Sequence, residues 1–348
     1  MSVTENPTPL SRALRLMRDY PLLPLGLLLA ALIALLEILQ PGIVNSRWIG
    51  NTIKVAIPLA MLAACQTLTM LTGGIDLSVG IIATVAAFVT GTLSPIIGVP
   101  SAVATSLTLA LLLGLLNGFG VAICRVHPLI MTLGTGLVAT GLIQVYQRYV
   151  IATGVQIPDF LQWLGIGRNF GIPDPLGLSL PFGLSQSVTI SLPAVLPNGL
   201  IIFIPFAALI LWAQRRSGFG RLLYAMGSNA QAARLSGVRG WQVHMALYVL
   251  SGLIAGITGL LYLGIVKQAS LSLAIPLLLP SVAAAVVGGT SIFGGRGGFG
   301  GTIIGALILT VLGTMLTLMH MPEGGRRILF GAIVLAVTAL FVRLTDTT

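Results

Sequence analysis

Long apolar runs recur along the whole chain, and they limit the folds that it can adopt. Of its 348 residues, 56% are apolar and only 7% are charged, whereas a soluble domain carries about 25% charged residues. A helix crosses the core of a bilayer with about 20 consecutive apolar residues. The sequence therefore predicts an all-α polytopic membrane protein, with some helices bent or broken where glycines are dense.

The runs predict about ten transmembrane helices with both termini in the cytoplasm. Arginines precede the first run, and Glu37 stands at its end in place of a small-residue cleavage site, so we expect an uncleaved helix rather than a signal peptide. Of the 18 basic residues, 11 then lie on the cytoplasmic side, which is the bias that membrane proteins show, although it is imperfect here. The predicted spans lie near residues 21–39, 53–72, 77–97, 101–124, 128–150, 195–214, 244–266, 272–289, 300–320 and 328–344.

The predicted organisation is a single membrane domain, residues 21–345, behind a short cytoplasmic N-terminal segment, residues 1–20. The long connector 151–194 is expected outside the cell, with a short amphipathic helix at Asp159 to Leu164. Loops of this length are often functional, so it either receives a soluble partner, takes part in gating, or is a passive cap over the bundle. Residues 215–243 are expected to form a cytoplasmic loop.

The sequence lacks the patterns of an enzyme. Neither of its lysines, Lys54 and Lys267, belongs to a phosphate-binding loop, and its three histidines are far apart. The segment Gly295 to Gly300 matches the dinucleotide pattern Gly-x-Gly-x-x-Gly, but the apolar runs on both sides leave no room for a βαβ unit. We therefore expect no catalytic residue, no bound metal and no cofactor.

A polar, glycine-punctuated segment, Gly220 to Gly237, interrupts the apolar runs. Asn229 is a good N-cap, Ala230 to Ser236 favours a short helix, and Gly237 stands where a left-handed C-cap residue is needed. Two turns of helix are marginal in water, so such a segment needs a partner surface. On the other interpretation it is an ordinary connector, and its arginines only fix membrane orientation. Five arginines lie in or beside it, namely Arg215, Arg216, Arg221, Arg234 and Arg239.

A second patch, from Gly74 through Asp76 and Ser78 to Gly80, lies at the junction of the second and third predicted spans. A carboxylate beside a membrane helix is costly unless something holds it. Asp76 either caps the following helix, where it would complement the helix dipole, or pairs with an arginine, or gates. Capping is the simplest of these interpretations.

Two further groups of residues are candidates for the transport pathway or for helix packing. Asn117, followed by Gly118, places an amide within an apolar run, where it either bonds across helices or faces a polar path. Gly288, Gly289 and Thr290 follow an Ala/Val run. Glycines at this density allow helix backbones to approach closely.

Four motifs in this order resemble a known family. They are Gly-Ile-Asp-Leu-Ser-Val-Gly at 74–80; Leu-Asn-Gly at 116–118, with Pro128 and Thr-Leu-Gly at 132–134; the segment 220–237; and Val-Gly-Gly-Thr-Ser-Ile-Phe-Gly-Gly at 287–295. Together they are similar to permease subunits of bacterial ABC importers for ribose, arabinose, xylose, galactofuranose and autoinducer-2. The resemblance covers about residues 20–340.

This resemblance implies a permease of the bacterial inner membrane that pairs with itself or with a sister permease. It also implies a cytoplasmic ATP-binding subunit and a periplasmic or lipid-anchored substrate-binding protein as partners, and no nucleic acid. Residues of the segment 220–237 match the family region that is expected to contact the ATPase, namely Gly220, Arg221, Tyr224, Gly227, Asn229, Ala232, Ala233, Arg234 and Gly237.

The expected function is import of a neutral monosaccharide or similar polyol by alternating access, because few charges lie within the predicted spans. One alternative is a related ABC permease for nucleosides or branched-chain amino acids. The other is an ion-coupled secondary transporter, which would be expected to carry acidic or basic residues near the middle of the membrane.

Overall fold

The computed structural model describes residues 22–150, 154–167 and 196–322, together with 324–326, 328–329 and 331–332, and within these ranges it is helical with no strand. The fold class expected from the sequence is therefore confirmed. The helices are α1 (Leu22–Leu39), α2 (Ser46–Met70), α3 (Val79–Ile97), α4 (Val99–Ala122), α5 (Pro128–Val150), α6 (Asp159–Ile166), α7 (Leu200–Arg216), α8 (Gly218–Ser228), α9 (Ala230–Leu235), α10 (Gly240–Val266), α11 (Leu278–Val287) and α12 (Phe299–Leu318).

Seven of these helices are long and apolar enough to cross a membrane, and α7 with α8, bent by 63° at their junction, would make an eighth. The apolar helix Ile275–Val287 is shorter. Nine of the ten predicted spans coincide with these elements, although α2 begins at Ser46 rather than near residue 53. The tenth, 328–344, lies mostly outside the described residues, as do the N-terminal segment 1–20 and most of the connector 151–194.

Helix α2 lies at the centre of the bundle, and α1 lies at its edge. In α2, 83% of the most apolar window is buried, compared with 6% in α1. Helices α10, α11 and α12 pack around α2, and α10 also packs against α3, α4 and α6. The short helix α6 was predicted in the long connector, and it buries Leu161 and Leu164 against the bundle.

Glycines allow α4 and α10 to pack closely. A Cβ atom added at Gly114 of α4 would lie 2.5 Å from the carbonyl oxygen of Tyr248, and one at Gly252 of α10 would lie 2.5 Å from that of Ala110. Lipid tails supply no hydrophobic force between helices, so packing of small residues holds such pairs together. These glycines are therefore required by the contact itself.

Replacing Gly252 with leucine should force α4 and α10 apart. Overpacking of this kind costs about 1–3 kcal/mol, so we expect a lower Tm for the detergent-solubilised variant. Gly134→Leu is the matched control, because a Cβ atom at Gly134 meets nothing within 4 Å. Equal Tm values for the two variants would contradict this account of the α4–α10 contact.

Candidate functional site

The segment 215–243, expected to be a loop with one short helix, contains two helices, α8 and α9. Ser217 is extended and ends α7, and its hydroxyl oxygen accepts a hydrogen bond from the N–H of Gly220 at 3.1 Å, which begins α8. The sequence analysis missed α8, because Gly218 and Gly220 are poor helix formers. The Ser217 N-cap was the signal that could have revealed it.

Helix α9 forms as its sequence predicted. The Asn229 side chain accepts from the N–H of Ala232 at 2.9 Å, and Gly237 is left-handed with φ of 84°. The N–H of Val238 then donates to the carbonyl of Ala233, so the last turn is closed. The remaining predicted contact residues, Arg221, Ala232 and Arg234, are exposed.

Ala233 differs from its neighbours on α9, because it is buried at 6% exposure. Its side chain packs within this chain and so holds α9 against the protein. The apolar residue that α9 presents to the surface is Leu235, which is 83% exposed. Sequence reasoning did not single out Leu235.

Backbone contacts fix α8 to the rest of the bundle. A side chain at Gly227 would collide with the carbonyl of Leu71, and that same carbonyl accepts from the N–H of Gly295 at 3.0 Å. The Tyr224 hydroxyl donates to the carbonyl of Gly297 at 2.7 Å. Burial raises the pKa of Tyr224, which keeps this donor protonated, although Arg215 acts in the opposite direction.

The glycine-rich segment 288–298 connects α11 to α12 and lies against α8. It does not follow a strand, since the described residues before it form α11. Gly288 packs against the backbone of α12, where its Cβ would lie 2.5 Å from the N atom of Thr302. Gly289 has φ of 86°, and Thr290 is buried. Beside this segment, the N–H of Phe299 at the start of α12 donates to the Gln214 side chain at 2.9 Å.

Asp76 lies in the connection between α2 and α3, outside both spanning helices, and is 1% exposed. Its Oδ1 accepts from the N–H of Ser78 at 2.9 Å and from the Ser78 hydroxyl at 2.6 Å, and its Oδ2 accepts from the Ser251 hydroxyl at 2.8 Å. The N-cap position of α3 is Ser78 itself. Asp76 therefore stands two residues before that position and holds the start of α3 through the N–H of Ser78, and its role as a cap or a gate stays a prediction.

The polar cluster around Asp76 joins helices from different parts of the chain. Asn117 of α4 donates to the Ser78 hydroxyl at 2.8 Å. This is a bond across helices, one of the two interpretations of Asn117 that the sequence allowed. Gln66 of α2 donates to the Asp76 carbonyl at 2.8 Å, and Thr132 of α5 accepts from the N–H of Leu77 at 3.0 Å. Gln66 and Ser251 were missed, although each is a polar residue within an apolar run.

Three more glycines named from the sequence lie at close contacts around this cluster. A Cβ at Gly74 would lie 3.2 Å from the Tyr248 hydroxyl, and one at Gly80 would lie 3.2 Å from the carbonyl of Ala274. At Gly118 a Cβ would lie 3.1 Å from the Cα of Met245. All three positions are thus packing contacts in the structure.

We call the end of the bundle formed by residues 71–78, 214–238 and 288–299 the docking end. A groove of about 660 Å³ opens there between α8 and the start of α10. Its walls include Phe219, Leu222 and Val243, and the five arginines of the segment are exposed around this end. An apolar groove among exposed cations is suited to a protein surface.

Comparison with known proteins identifies the kind of protein that carries this surface. The family described as branched-chain amino acid transport system / permease component matches residues 48–338. The chain belongs to this permease family. It is 31% identical to a ribose import permease of Escherichia coli K12, over 91% of each chain. It is also 29% identical to a fructose import permease of Rhizobium meliloti, over 91% of this chain and 84% of the relative.

A third relative of the permease is a galactofuranose transporter permease of Escherichia coli K12, 30% identical over 86% of this chain and 81% of the relative. The resemblance to permeases of bacterial ABC sugar importers is therefore confirmed, and the permease is a multi-pass protein of the inner membrane. No solved structure matches the chain.

The burial of Asp76 predicts how the stability of the permease depends on pH. Desolvation raises the pKa of Asp76 above its ordinary value, although hydrogen bonds from Ser78 and Ser251 oppose it. Ionisation of Asp76 therefore opposes folding. The stability that the protonated side chain contributes is lost as the pH rises through the folded-state pKa of Asp76. Asp76→Asn retains the acceptor for Ser78 and stays neutral. The Tm of the variant, relative to that of the wild type, should therefore rise as the pH is raised from about 4 to 8.

The control for this series is Asp159→Asn, which changes an exposed aspartate at the start of α6. Its Tm should follow the wild type at every pH. If the Tm difference between Asp76→Asn and the wild type were constant across the series, Asp76 would not ionise against folding.

Proposed function

We propose that this chain is the membrane-spanning subunit of an ATP-driven, binding-protein-dependent importer for a neutral monosaccharide or a similar polyol. The observation that carries the proposal is the attachment of α8 and α9 at the docking end. A force on α8 is transmitted through Gly227 to the end of α2 and through Tyr224 to Gly297, just before α12. Gln214 of α7 holds the first N–H of α12 beside this contact. Such contacts suit a subunit that is moved by a separate motor.

In this proposal a cytoplasmic ATP-binding subunit docks on α9 and on the groove beside α8. The exposed Leu235 supplies an apolar contact at the tip, and the surrounding arginines favour an acidic partner surface. ATP hydrolysis takes place on that partner, so this chain is the non-catalytic subunit. Closure of the ATP-binding subunits then shifts the helices between outward-open and inward-open arrangements.

The remaining organisation follows from the same orientation. Residues 21–345 form one membrane domain, the segments 1–20 and 215–243 face the cytoplasm, and the connector 151–194 faces outside. A periplasmic or lipid-anchored binding protein delivers the solute at the outer end. A second copy of the chain, or a sister permease, completes the transporter.

The proposed solute is neutral because the buried interior offers little to hold a charge. Among the acidic and basic side chains in the described ranges, Asp76 is the one that is buried, and its carboxylate is already held by Ser78 and Ser251. An ion-coupled transporter is expected to place such groups along its pathway. The named relatives act on ribose, fructose and galactofuranose, which are uncharged and rich in hydroxyl groups.

A second candidate function is import of branched-chain amino acids or nucleosides. The observation in its favour is the description of the matching family, which is the permease component of a branched-chain amino acid transport system. The relatives named above favour the sugar.

The deciding experiment measures the ATPase activity of the complex reconstituted with an ATPase and a binding protein of ABC-importer type from the same genome. The panel contains pentoses, hexoses, furanoses, nucleosides and amino acids. Stimulation by one sugar, and only with its binding protein, would support the proposal. Stimulation by an amino acid or a nucleoside would favour the second candidate, and failure of any ATPase to assemble would reopen the secondary-transporter interpretation.

The docking role of α9 can be tested at Ala232, which is exposed. Replacing Ala232 with glutamate places a charge at the proposed contact without disturbing the buried Ala233. Desolvating an unpaired charge at an interface costs several kcal/mol, so ATP-driven uptake should fall by more than about tenfold. Membrane insertion and Tm should be unchanged.

Ala232→Ser is the matched control, because serine is small and neutral and should retain uptake. Full uptake by the glutamate variant would count against α9 as the contact with the ATPase.

A further inference from the structure

A second groove, of about 570 Å³, opens at the end of the bundle opposite to the docking end. Its walls come from α2, α10, α11 and α12, from Pro276 and Leu277 just before α11, and from Arg326 after α12. Along α12, Thr314 lies about 22 Å from the Gln214 contact at Phe299, at a rise of 1.5 Å per residue. The groove has a volume within the range of about 300–1,000 Å³ that is typical of small-molecule sites.

We propose that this groove, which we call the outer groove, is a site where the permease holds the sugar that it receives from the binding protein. The inference rests on the proposed function and adds to it the residues that contact the solute. The groove is lined by Trp48 of α2, by Tyr262 of α10, and by Thr310, Thr314 and Thr317 of α12.

The three threonines offer hydrogen-bond acceptors along one face of α12. Each hydroxyl donates its proton to the carbonyl one turn earlier in the helix: Thr310 to Ala306 at 2.8 Å, Thr314 to Thr310 at 3.1 Å, and Thr317 to Gly313 at 2.8 Å. A hydroxyl has one proton and two lone pairs. With the proton used, each oxygen can still accept from a hydroxyl of a sugar.

Trp48 contributes the complementary donor. Its indole N–H is buried and has no hydrogen-bond partner within the described part of the chain. A buried donor without a partner is destabilising. A sugar oxygen in the outer groove would supply the missing acceptor, and the apolar side chains of Val55 and Leu59 would face its C–H groups.

The outer groove also leads into the bundle. Thr317 is exposed, Thr314 is half-buried and Thr310 is buried, so the row of acceptors runs from the mouth inward. Gly313 lies between them, and a Cβ atom built on it meets nothing within 4 Å. The absence of a side chain at Gly313 therefore keeps this part of α12 open.

The same α12 that lines the outer groove begins at the docking end. Its first N–H is held by Gln214, next to α8. A shift of α8 on ATP binding would therefore move the row of threonines and change the width of the outer groove. This connection gives one rigid element through which the ATPase can act on the sugar site.

The test uses the complete reconstituted transporter and the sugar that the wild type takes up, starting with D-ribose, D-fructose and D-galactose. Trp48→Phe removes the indole N–H together with the five-membered ring, and Thr314→Val replaces the hydroxyl with a methyl group of similar size. Because one hydrogen bond contributes about 0.5–1.5 kcal/mol, each variant should lower the rate of uptake at saturating binding protein about two- to twelvefold. Gly313→Leu fills the outer groove and should abolish uptake.

Matched controls lie outside the outer groove. Trp212→Phe changes an exposed tryptophan of α7, and Thr108→Val removes an exposed hydroxyl of α4 that likewise donates within its own helix, to Ala104 at 2.8 Å. Gly26→Leu adds a side chain to α1 where a Cβ meets nothing within 4 Å. All three should retain wild-type uptake, and basal ATPase activity should be unchanged in every control.

The outcomes separate the two proposals. If the wild type takes up a sugar and the outer-groove variants match the controls, the outer groove does not hold the sugar, while the proposed function stands. If the wild type takes up no sugar, both proposals fail. Loss confined to the outer-groove variants supports both.

Discussion

Burial of the Asp76 carboxylate is the constraint on which the docking end depends. A carboxylate away from water must have its oxygens satisfied, and here Ser78 and Ser251 supply the donors. Because Ser251 belongs to α10 and Ser78 also accepts from Asn117 of α4, one acidic side chain sets the positions of two helices. The connection between α2 and α3 is thereby fixed. Leu71 is the first residue of this connection, and Gly227 of α8 contacts its carbonyl directly.

The rest of the mechanism follows from how rigid helices join the two ends. Backbone contacts at Gly227 leave no space between α8 and its support, so a movement of α8 cannot be absorbed locally. In the proposed function, α12 carries that movement from Gln214 to the outer groove. The close contact of α4 with α10 at Gly114 and Gly252 keeps the other half of the bundle fixed.

Much of the fold and part of the site could be predicted because they depend on local chemistry. The caps of α9 are set by Asn229 and Gly237, whose side-chain acceptor and left-handed backbone act within a few residues. The apolar runs fix where the spans lie. Helix α8 was missed because its glycines disfavour a helix, and packing of Leu223 and Gly227 against the bundle outweighs that preference. The second partner of Asp76 could not be predicted, because the Ser251 hydroxyl that donates to its Oδ2 lies far along the chain.

The sequence by itself determined the membrane class, the approximate spans, the short capped helix and the permease family, because these follow from composition, helix signals and ordered motifs. The tertiary structure alone decided which polar residues meet. Gln66, Asn117 and Ser251 are far apart in the chain, and only helix packing brings them to Asp76. The tertiary structure also decided that Trp48 and the threonines of α12 line one outer groove. A hydrophobic pattern predicts that a helix crosses the membrane, but it does not specify which helices will be its neighbours.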